Sequence, residues 1–186
     1  FPSEIDNEWL KKRSIKKKNN KNKIKLLYVG RFREEKGYLS LIDIFKNLKL
    51  NSSLKMVGND YKYFKKNYYP KDSNIKILGQ LVKNKDLIKC YDDCDIFVLP
   101  SYAEAYPQVI LESLSRLKPV IIFNEIKFLK KTFSVGVFNS QRNVKDLQKV
   151  IKNIASNYSK IQKKILKQKI FTQKNFFNEM NTIFQD

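Results

Sequence analysis

The chain has 186 residues, of which 42% are apolar and 13% aromatic, so it is long enough for one domain with a core and is not wholly disordered. Its net charge of +20 at pH 7 indicates either polyanionic partners or lysines spread over solvated surfaces. The sequence contains no run of about 18 apolar residues, so no transmembrane helix is predicted.

The chain lacks histidine and contains two cysteines, Cys90 and Cys94. Without histidine, neither a Ser–His nor a Cys–His catalytic pair can form within these residues. A C-x3-C pair with no other soft ligand is a poor zinc site, so no metal site is predicted. On a helix the two thiols would lie one turn apart, and we expect a buried, reduced pair in a cytoplasmic protein.

The first residues read FPSEID, without an initiator methionine, which suggests a piece of a longer protein. We predict that residues 1–23 are a basic linker or solvated tail and that residues 24–186 form one domain. Short apolar runs predict strands at 24–30, 53–58, 74–79, 95–100, 119–123 and 135–138. Helical patterns occur at 38–48, 85–93, 108–117, 144–154 and 161–184. A further short, aromatic helix is predicted after the second strand, ending near residue 69.

The predicted strands alternate with helices, and each strand is apolar throughout. This pattern is typical of a parallel sheet that is covered on both faces. We therefore predict a doubly wound, Rossmann-like α/β domain of about six strands. Ligands of such sheets bind at the carboxyl ends of strands, so we expect the loops after strands one, four and five to form the ligand site.

The loop after the first strand reads VGRFREEKG over residues 29–37. Gly30 permits a tight backbone, and the cations Arg31 and Lys36 flank a strand-to-helix turn, where they could bind a diphosphate. The loop is neither a G-x-G-x-x-G fingerprint nor a Walker A loop, which disfavours dinucleotide and NTPase functions. Two ordinary surface cations in a lysine-rich chain remain an equal alternative at this point.

The loop after the fourth strand contains EAYPQVILE, in which Glu104 and Glu112 flank Pro107. We predict Pro107 as the first helical residue, so that a helix N-terminus, a natural anion site, lies between the two carboxylates. Carboxylates accept hydrogen bonds from sugar hydroxyls, so the pair could hold a sugar and a ribose. Spacing alone favours two ordinary surface glutamates, and a glycosidase pair or a metal site has less support.

In their order, VGRFREEKG, LKMVG, IKILG, DIFVLPS, EAYPQVILES and KPVII resemble the motifs of the C-terminal, donor-binding domain of retaining glycosyltransferases of family 4. The resemblance covers residues 24–123 closely, and the motifs are specific in this order although each is weak alone. It implies one lobe of the two-lobed GT-B fold. Such a lobe would bind a nucleotide sugar but transfer sugar poorly, or not at all, without its N-terminal partner lobe.

The resemblance also implies roles for single residues. Arg31 and Lys36 would hold the donor diphosphate as catalytic cations, Glu104 would engage the transferred sugar, and Glu112 would bind the ribose. The residues that it places around the donor are Gly30, Gly79, Gln80, Leu81, Ala105, Tyr106, Pro107, Gln108, Val109 and Glu112. The donor would be a UDP- or GDP-linked sugar, with no cofactor and no metal.

The sequence departs from the family pattern at three places. Ala105 replaces a glycine, SRLKPVI (115–121) replaces an approach rich in small residues and glycine, and FNEIKF (123–128) replaces a turn of small residues.

The resemblance implies a glycan or lipid-linked acceptor, as in the synthesis of a surface polysaccharide or glycolipid, and no specific nucleic-acid partner. A cytoplasmic location follows, with peripheral contact to the inner face of an anionic membrane as an option. The alternative hypothesis is a basic module for nucleic acid or anionic membrane without transferase activity, which the lysine-rich start of the chain favours. An epimerase of the same fold is a third, weaker option.

Overall fold

The computed structural model describes residues 5–16, 23–59, 72–168 and 170. The predicted helix near residue 69 and most of the predicted segment 161–184 lie outside these residues. The strands of the described part are Ile24–Val29 (β1), Ser52–Val57 (β2), Ile75–Leu78 (β3), Ile96–Leu99 (β4), Val120–Phe123 (β5) and Val137–Ser140 (β6).

These strands form one sheet in the order β3-β2-β1-β4-β5-β6, and every pairing is parallel. The predicted six-stranded parallel α/β fold of Rossmann type is thereby confirmed. β4 and β5 are buried at every position, as expected for central strands with covered faces. The chain reverses its direction of winding between β1 and β4, and a crevice at the carboxyl ends of these two strands is where such sheets bind ligands.

The helices of the described part are Tyr38–Lys46 (α1), Asn84–Asp93 (α2), Gln108–Ser115 (α3), Leu129–Thr132 (α4), Val144–Ser156 (α5) and Tyr158–Lys167 (α6). β6 lies two residues later than predicted, and α6 begins three residues earlier. Pro107 is the N-cap of α3 and not its first helical residue, since its backbone is extended (φ −75°, ψ 109°). Its carbonyl accepts the hydrogen bond of Ile110 N (3.1 Å), which closes the first turn.

The first described residues belong to the core, although the sequence predicted a solvated segment there. Ile5 and Trp9 are buried, and the rings of Trp9 and Tyr91 form a T-shaped contact with 5.4 Å between their centroids. Arg116 Nη1 donates hydrogen bonds to the carbonyls of Trp9 (2.8 Å) and Lys11 (2.7 Å). The domain boundary at residue 23 stays a prediction, but the core extends to its N-terminal side.

The segment after α3 explains one departure from the family pattern. Leu117 adopts a left-handed backbone (φ 58°), and the N–H groups of Leu117 and Lys118 donate to Leu114 O and Ser113 O. These two bonds form a Schellman motif, in which glycine is the usual left-handed residue. Leu117 occupies that position with its side chain 1% exposed, so its burial offsets a backbone conformation that L-residues disfavour.

Two buried cations, Arg116 and Lys118, flank Leu117 and bind the C-terminal end of α2. The ammonium of Lys118 donates to Cys94 O (2.8 Å) and Asp92 O (3.1 Å), while Arg116 forms a two-pronged ion pair with Asp92. Cations at a helix C-terminus are stabilised by its unpaired carbonyls. The substitution of small residues by Arg116 and Lys118 therefore ties α2, α3 and the N-terminal segment together.

Candidate functional site

A cavity of about 250 Å³ opens at the carboxyl ends of β1 and β4, where the strand order reverses. It lies between the loop that follows β1 and the loop that leads from β4 into α3. The predicted site residues that line it are Gly30, Lys36, Glu104, Tyr106, Pro107, Gln108 and Val109. The structure therefore brings the two predicted loops together at one cavity.

The main polar contact of the cavity is an ion pair between Lys36 and Glu104. Lys36 Nζ lies 2.8 Å from Glu104 Oε1, and Ser101 Oγ donates to the same oxygen at 2.7 Å. The side chains of Lys36 and Glu104 are 21% and 11% exposed, so the pair is partly shielded from water. Within the described residues Glu104 Oε2 has no hydrogen-bond partner and can accept one from a ligand.

Glycine at position 37 makes this pairing possible. Gly37 has a left-handed backbone (φ 65°), and a Cβ built on it would lie 2.0 Å from the carbonyl oxygen of Pro100. The two loops also share a hydrogen bond from Tyr102 N to Glu35 O (3.0 Å). The loop of Lys36 can therefore touch the end of β4 only because residue 37 has no side chain.

The floor of the cavity is a buried tyrosine. Tyr28 OH donates to Arg31 O (2.7 Å), and burial raises the pKa of Tyr28 far above its ordinary value, with a smaller contribution from Glu104. The hydroxyl therefore stays protonated and holds the turn after β1. A Cβ on Gly30 would lie 2.9 Å from this hydroxyl, so a larger residue at position 30 would disturb the floor.

The amino end of α3 forms one wall of the cavity. Pro107, Gln108 and Val109 line it, and the first turn of this eight-residue helix presents backbone N–H groups and the positive end of its dipole. Tyr106 packs on Phe133 with 5.2 Å between ring centroids, and burial raises its pKa. An anionic group next to Lys36 would therefore meet a favourable electrostatic environment.

Glu112 lies one turn further along α3, outside the cavity lining. It is half-buried, and its Oε2 accepts a hydrogen bond from Tyr91 OH at 2.9 Å. Burial raises the pKa of Glu112, and the Tyr91 hydrogen bond partly opposes this shift. Within the described residues Oε1 of Glu112 has no hydrogen-bond partner, so the carboxylate is fixed on one side and available on the other.

Residues 11–170 match the family described as glycosyl transferases group 1. The chain belongs to this family. The predicted glycosyltransferase family is thereby confirmed.

Two curated relatives support this assignment. One is an uncharacterised 41.2 kDa protein in the cps region of Klebsiella pneumoniae, 29% identical over 139 residues, which cover 74% of this chain and 37% of the relative. The other is an uncharacterised glycosyltransferase of Methanocaldococcus jannaschii, 36% identical over 100 residues, which cover 51% of this chain and 27% of the relative. The matched segments thus cover 27–37% of these relatives, and the chain corresponds to about half of their length.

Solved glycosyltransferase structures share the fold. The apo form of the lipopolysaccharide outer core galactosyltransferase WaaB superposes with a TM-score of 0.70 at 18% identity, covering 99% of this chain and 54% of that chain. Anabaena HepE, solved in complex with UDP and glucose, gives a TM-score of 0.63 at 20% identity and covers 77% of this chain and 42% of that chain.

Some predicted site residues of this glycosyltransferase domain lie outside the cavity. Arg31 and Ala105 are exposed on its two loops, and Gly79, Gln80 and Leu81 follow β3, which is separated from β4 by two strands of the sheet. Their roles, like that of Glu112, stay predictions.

Sequence reasoning missed part of the lining. Tyr28, Val29, Leu99 and Ser101 also line the cavity. A signal for Ser101 was present, because this residue ends the DIFVLPS motif, but its contact with Glu104 depends on the fold of the loop.

Among the described residues, no helix combines the length and apolar composition needed to cross a membrane. The same part of the chain contains no group of three or more cysteine and carboxylate side chains placed to hold a metal ion.

Proposed function

We propose that this domain binds a nucleotide sugar in the cavity between β1 and β4, as the donor-binding part of a retaining glycosyltransferase. The observation that carries the proposal is the pairing of Lys36 with Glu104 beside the amino end of α3. One site then offers a cation and backbone N–H groups for a diphosphate, next to a carboxylate for sugar hydroxyls.

Lys36 would bind the diphosphate and exchange part of its contact with Glu104 for phosphate oxygens. Glu104, still held by Ser101, would accept a hydroxyl of the transferred sugar on Oε2. In the reaction, negative charge grows on the diphosphate as its bond to the transferred sugar breaks. Lys36, the α3 amino end and Arg31, if its exposed side chain closes over the phosphates, would stabilise that charge without a protein nucleophile.

Glu112 would bind the ribose through Oε1 while Tyr91 holds Oε2. Backbone groups of Ala105 would face the sugar, and Gly79, Gln80 and Leu81 would border the base. UDP is our first choice of nucleotide, supported by the UDP complex of the structurally similar HepE, with GDP second.

We further propose a glycan or lipid-linked acceptor and a role in surface polysaccharide or glycolipid synthesis. The cps-region relative and the outer core galactosyltransferase support this assignment. A cytoplasmic location, with the domain at the inner face of the membrane, fits the two buried free thiols Cys90 and Cys94.

The test is calorimetric titration and thermal shift with UDP, GDP, ADP and UDP-glucose. Lys36→Ala should weaken UDP binding about 10- to 100-fold, as expected for the loss of a charged hydrogen bond. Lys149→Ala, at an exposed lysine of α5, is the matched control and should bind like the wild type. Glu104→Gln frees Lys36 and should keep UDP binding, but it should abolish any preference for UDP-glucose over UDP.

The proposal fails if none of these nucleotides raises the melting temperature. It also fails if Lys149→Ala weakens binding as much as Lys36→Ala and binding collapses steeply with salt. That outcome would favour the alternative of a basic polyanion-binding surface.

A further inference from the structure

Arg142 lies in the loop after β6 and connects three other parts of the domain. Its side chain is 14% exposed. Nε donates to Glu125 Oε1 at 2.8 Å, Nη1 donates to Ser40 Oγ at 2.6 Å, and Nη2 lies 3.4 Å from the carbonyl oxygen of Ser101. The guanidinium therefore joins the loop after β5, the start of α1 and the loop after β4.

Two aromatic rings complete its surroundings. The guanidinium carbon lies 4.0 Å from the centroid of the Tyr102 ring and 4.5 Å from that of Phe123. A guanidinium this close to an aromatic face is attracted by the negative face of the ring. Arg142 is thus held by stacking as well as by hydrogen bonds, and its position is well defined.

On one side, Arg142 reaches Glu104 through a single residue. The Ser101 carbonyl accepts from Arg142, while the Ser101 hydroxyl donates to Glu104 Oε1 at 2.7 Å. Because the same residue makes both contacts, a shift of Arg142 would move the hydroxyl that orients Glu104.

On the other side, Arg142 reaches the loop of Lys36. Ser40 Oγ accepts from Arg142 and donates to Gly37 O at 2.8 Å, and Gly37 directly follows Lys36. A Cβ built on Gly37 would lie 3.1 Å from Nη1 of Arg142, so this loop passes close against the guanidinium.

We propose that Arg142 is a positioning residue of the donor site, which holds the loop of Lys36 against the loop after β4 and thereby sets the affinity for the nucleotide. This inference rests on the proposed function, because it assigns a further residue to the same site. Arg142 itself lies outside the cavity lining. It acts through Ser101 on the loop of Glu104 and through Ser40 on the loop of Lys36.

An arginine suits this position better than a lysine. The planar guanidinium donates in several directions at once and stacks on rings, whereas an ammonium is a compact point charge on a flexible stem. A lysine at position 142 would keep the charge near Glu125 but could not hold both serines in the observed geometry.

The test measures UDP affinity by calorimetry, at a temperature well below the melting point of every variant. Arg142→Met should raise the Kd about tenfold, the size of one lost charge-assisted hydrogen bond. Arg142→Lys should fall between the wild type and Arg142→Met. Glu125→Gln is the matched control: it keeps an acceptor for Nε and should leave the Kd unchanged, even if stability falls.

A double-mutant cycle separates positioning from a structural role. If Arg142 acts through Lys36, adding Arg142→Met to Lys36→Ala should change the Kd less than about twofold, because the cation being positioned is absent. Additive effects of the two substitutions would overturn the proposal, as would an unchanged Kd in Arg142→Met.

Ser40→Ala covers the case in which Arg142→Met does not fold. It removes one bridge and should raise the Kd about threefold, whereas an unchanged Kd contradicts the proposal. If the wild type itself does not bind UDP, GDP or ADP, the proposed function has failed and not the role of Arg142 alone.

Discussion

The left-handed turn at Leu117 sets two physical effects against each other, and substitutions at this residue measure both. The side chain is 1% exposed, and the backbone has φ 58°. Leu117→Ala removes the buried side chain and keeps the unfavourable backbone, so we expect a loss of about 2–5 kcal/mol in the free energy of unfolding. Leu117→Gly removes the same apolar contacts but relieves a left-handed backbone that disfavours L-residues by about 1–2 kcal/mol.

Glycine should therefore be the more stable of the two variants, by about 1 kcal/mol or roughly 2–4 °C in melting temperature for a chain of this size. Leu114 provides the matched control, because it is also 1% exposed but lies inside α3. There glycine should be worse than alanine by about 0.5–1 kcal/mol, as is usual within a helix. The order of the two variants should thus reverse between positions 114 and 117.

Urea unfolding can be followed by the fluorescence of Trp9, which is the single tryptophan and is buried against Tyr91. If Leu117→Ala equals or exceeds Leu117→Gly in stability, the reasoning about backbone strain is refuted. If glycine is also better at position 114, the effect is not specific to the left-handed turn.

Three further predictions concern pH and the loop after β1. Burial raises the pKa of Cys94 from 9.0 to about 12, so the stability that this thiol contributes is complete below pH 9.0 and is lost as the pH rises. The advantage of the wild type over Cys94→Ala should therefore shrink by about 1.4 kcal/mol per pH unit above 9 in urea unfolding under reducing conditions. Burial also raises the pKa of Glu112 above 4.5, so Glu112→Gln should gain stability relative to the wild type as the pH rises from 4.5 to 7; a pH-independent difference would contradict this. Gly37→Ala should destabilise the domain by several kcal/mol, on the order of other severe steric substitutions, because the new Cβ would meet the Pro100 backbone. In Gly30→Ala the new Cβ would meet only the Tyr28 side chain, so this variant should lose less stability in the same urea unfolding measurement.

The pairing of Lys36 with Glu104 could be predicted in outline. Each lies just after an apolar strand, and the carboxyl ends of parallel strands share one edge of the sheet. The sequence could not show that the two side chains form a direct ion pair. That contact requires glycine at position 37, because a Cβ on this residue would lie 2.0 Å from Pro100 O and would push the two loops apart.

Arg142 and the segment around Leu117 show the opposite case. Nothing in the spacing near residue 142 indicates a role, because its partners lie 17, 102 and 41 residues away along the chain. Similarly, a basic pair such as Arg116 and Lys118 normally indicates a solvated surface, and both are buried here because backbone carbonyls and Asp92 surround them.

The sequence by itself determined the family, the order of strands and helices, and the two loops that carry the charged residues of the site. These follow from local patterns, namely apolar runs of strand length, helical spacing and glycine or proline at turns. Tertiary structure alone decided which polar groups meet: Lys36 with Glu104, Glu112 with Tyr91, and Arg142 with two distant loops and the start of α1. The physical reason is that hydrogen bonds act only within about 3 Å. For segments far apart in sequence, the packing of the whole sheet, and not any one segment, sets this distance.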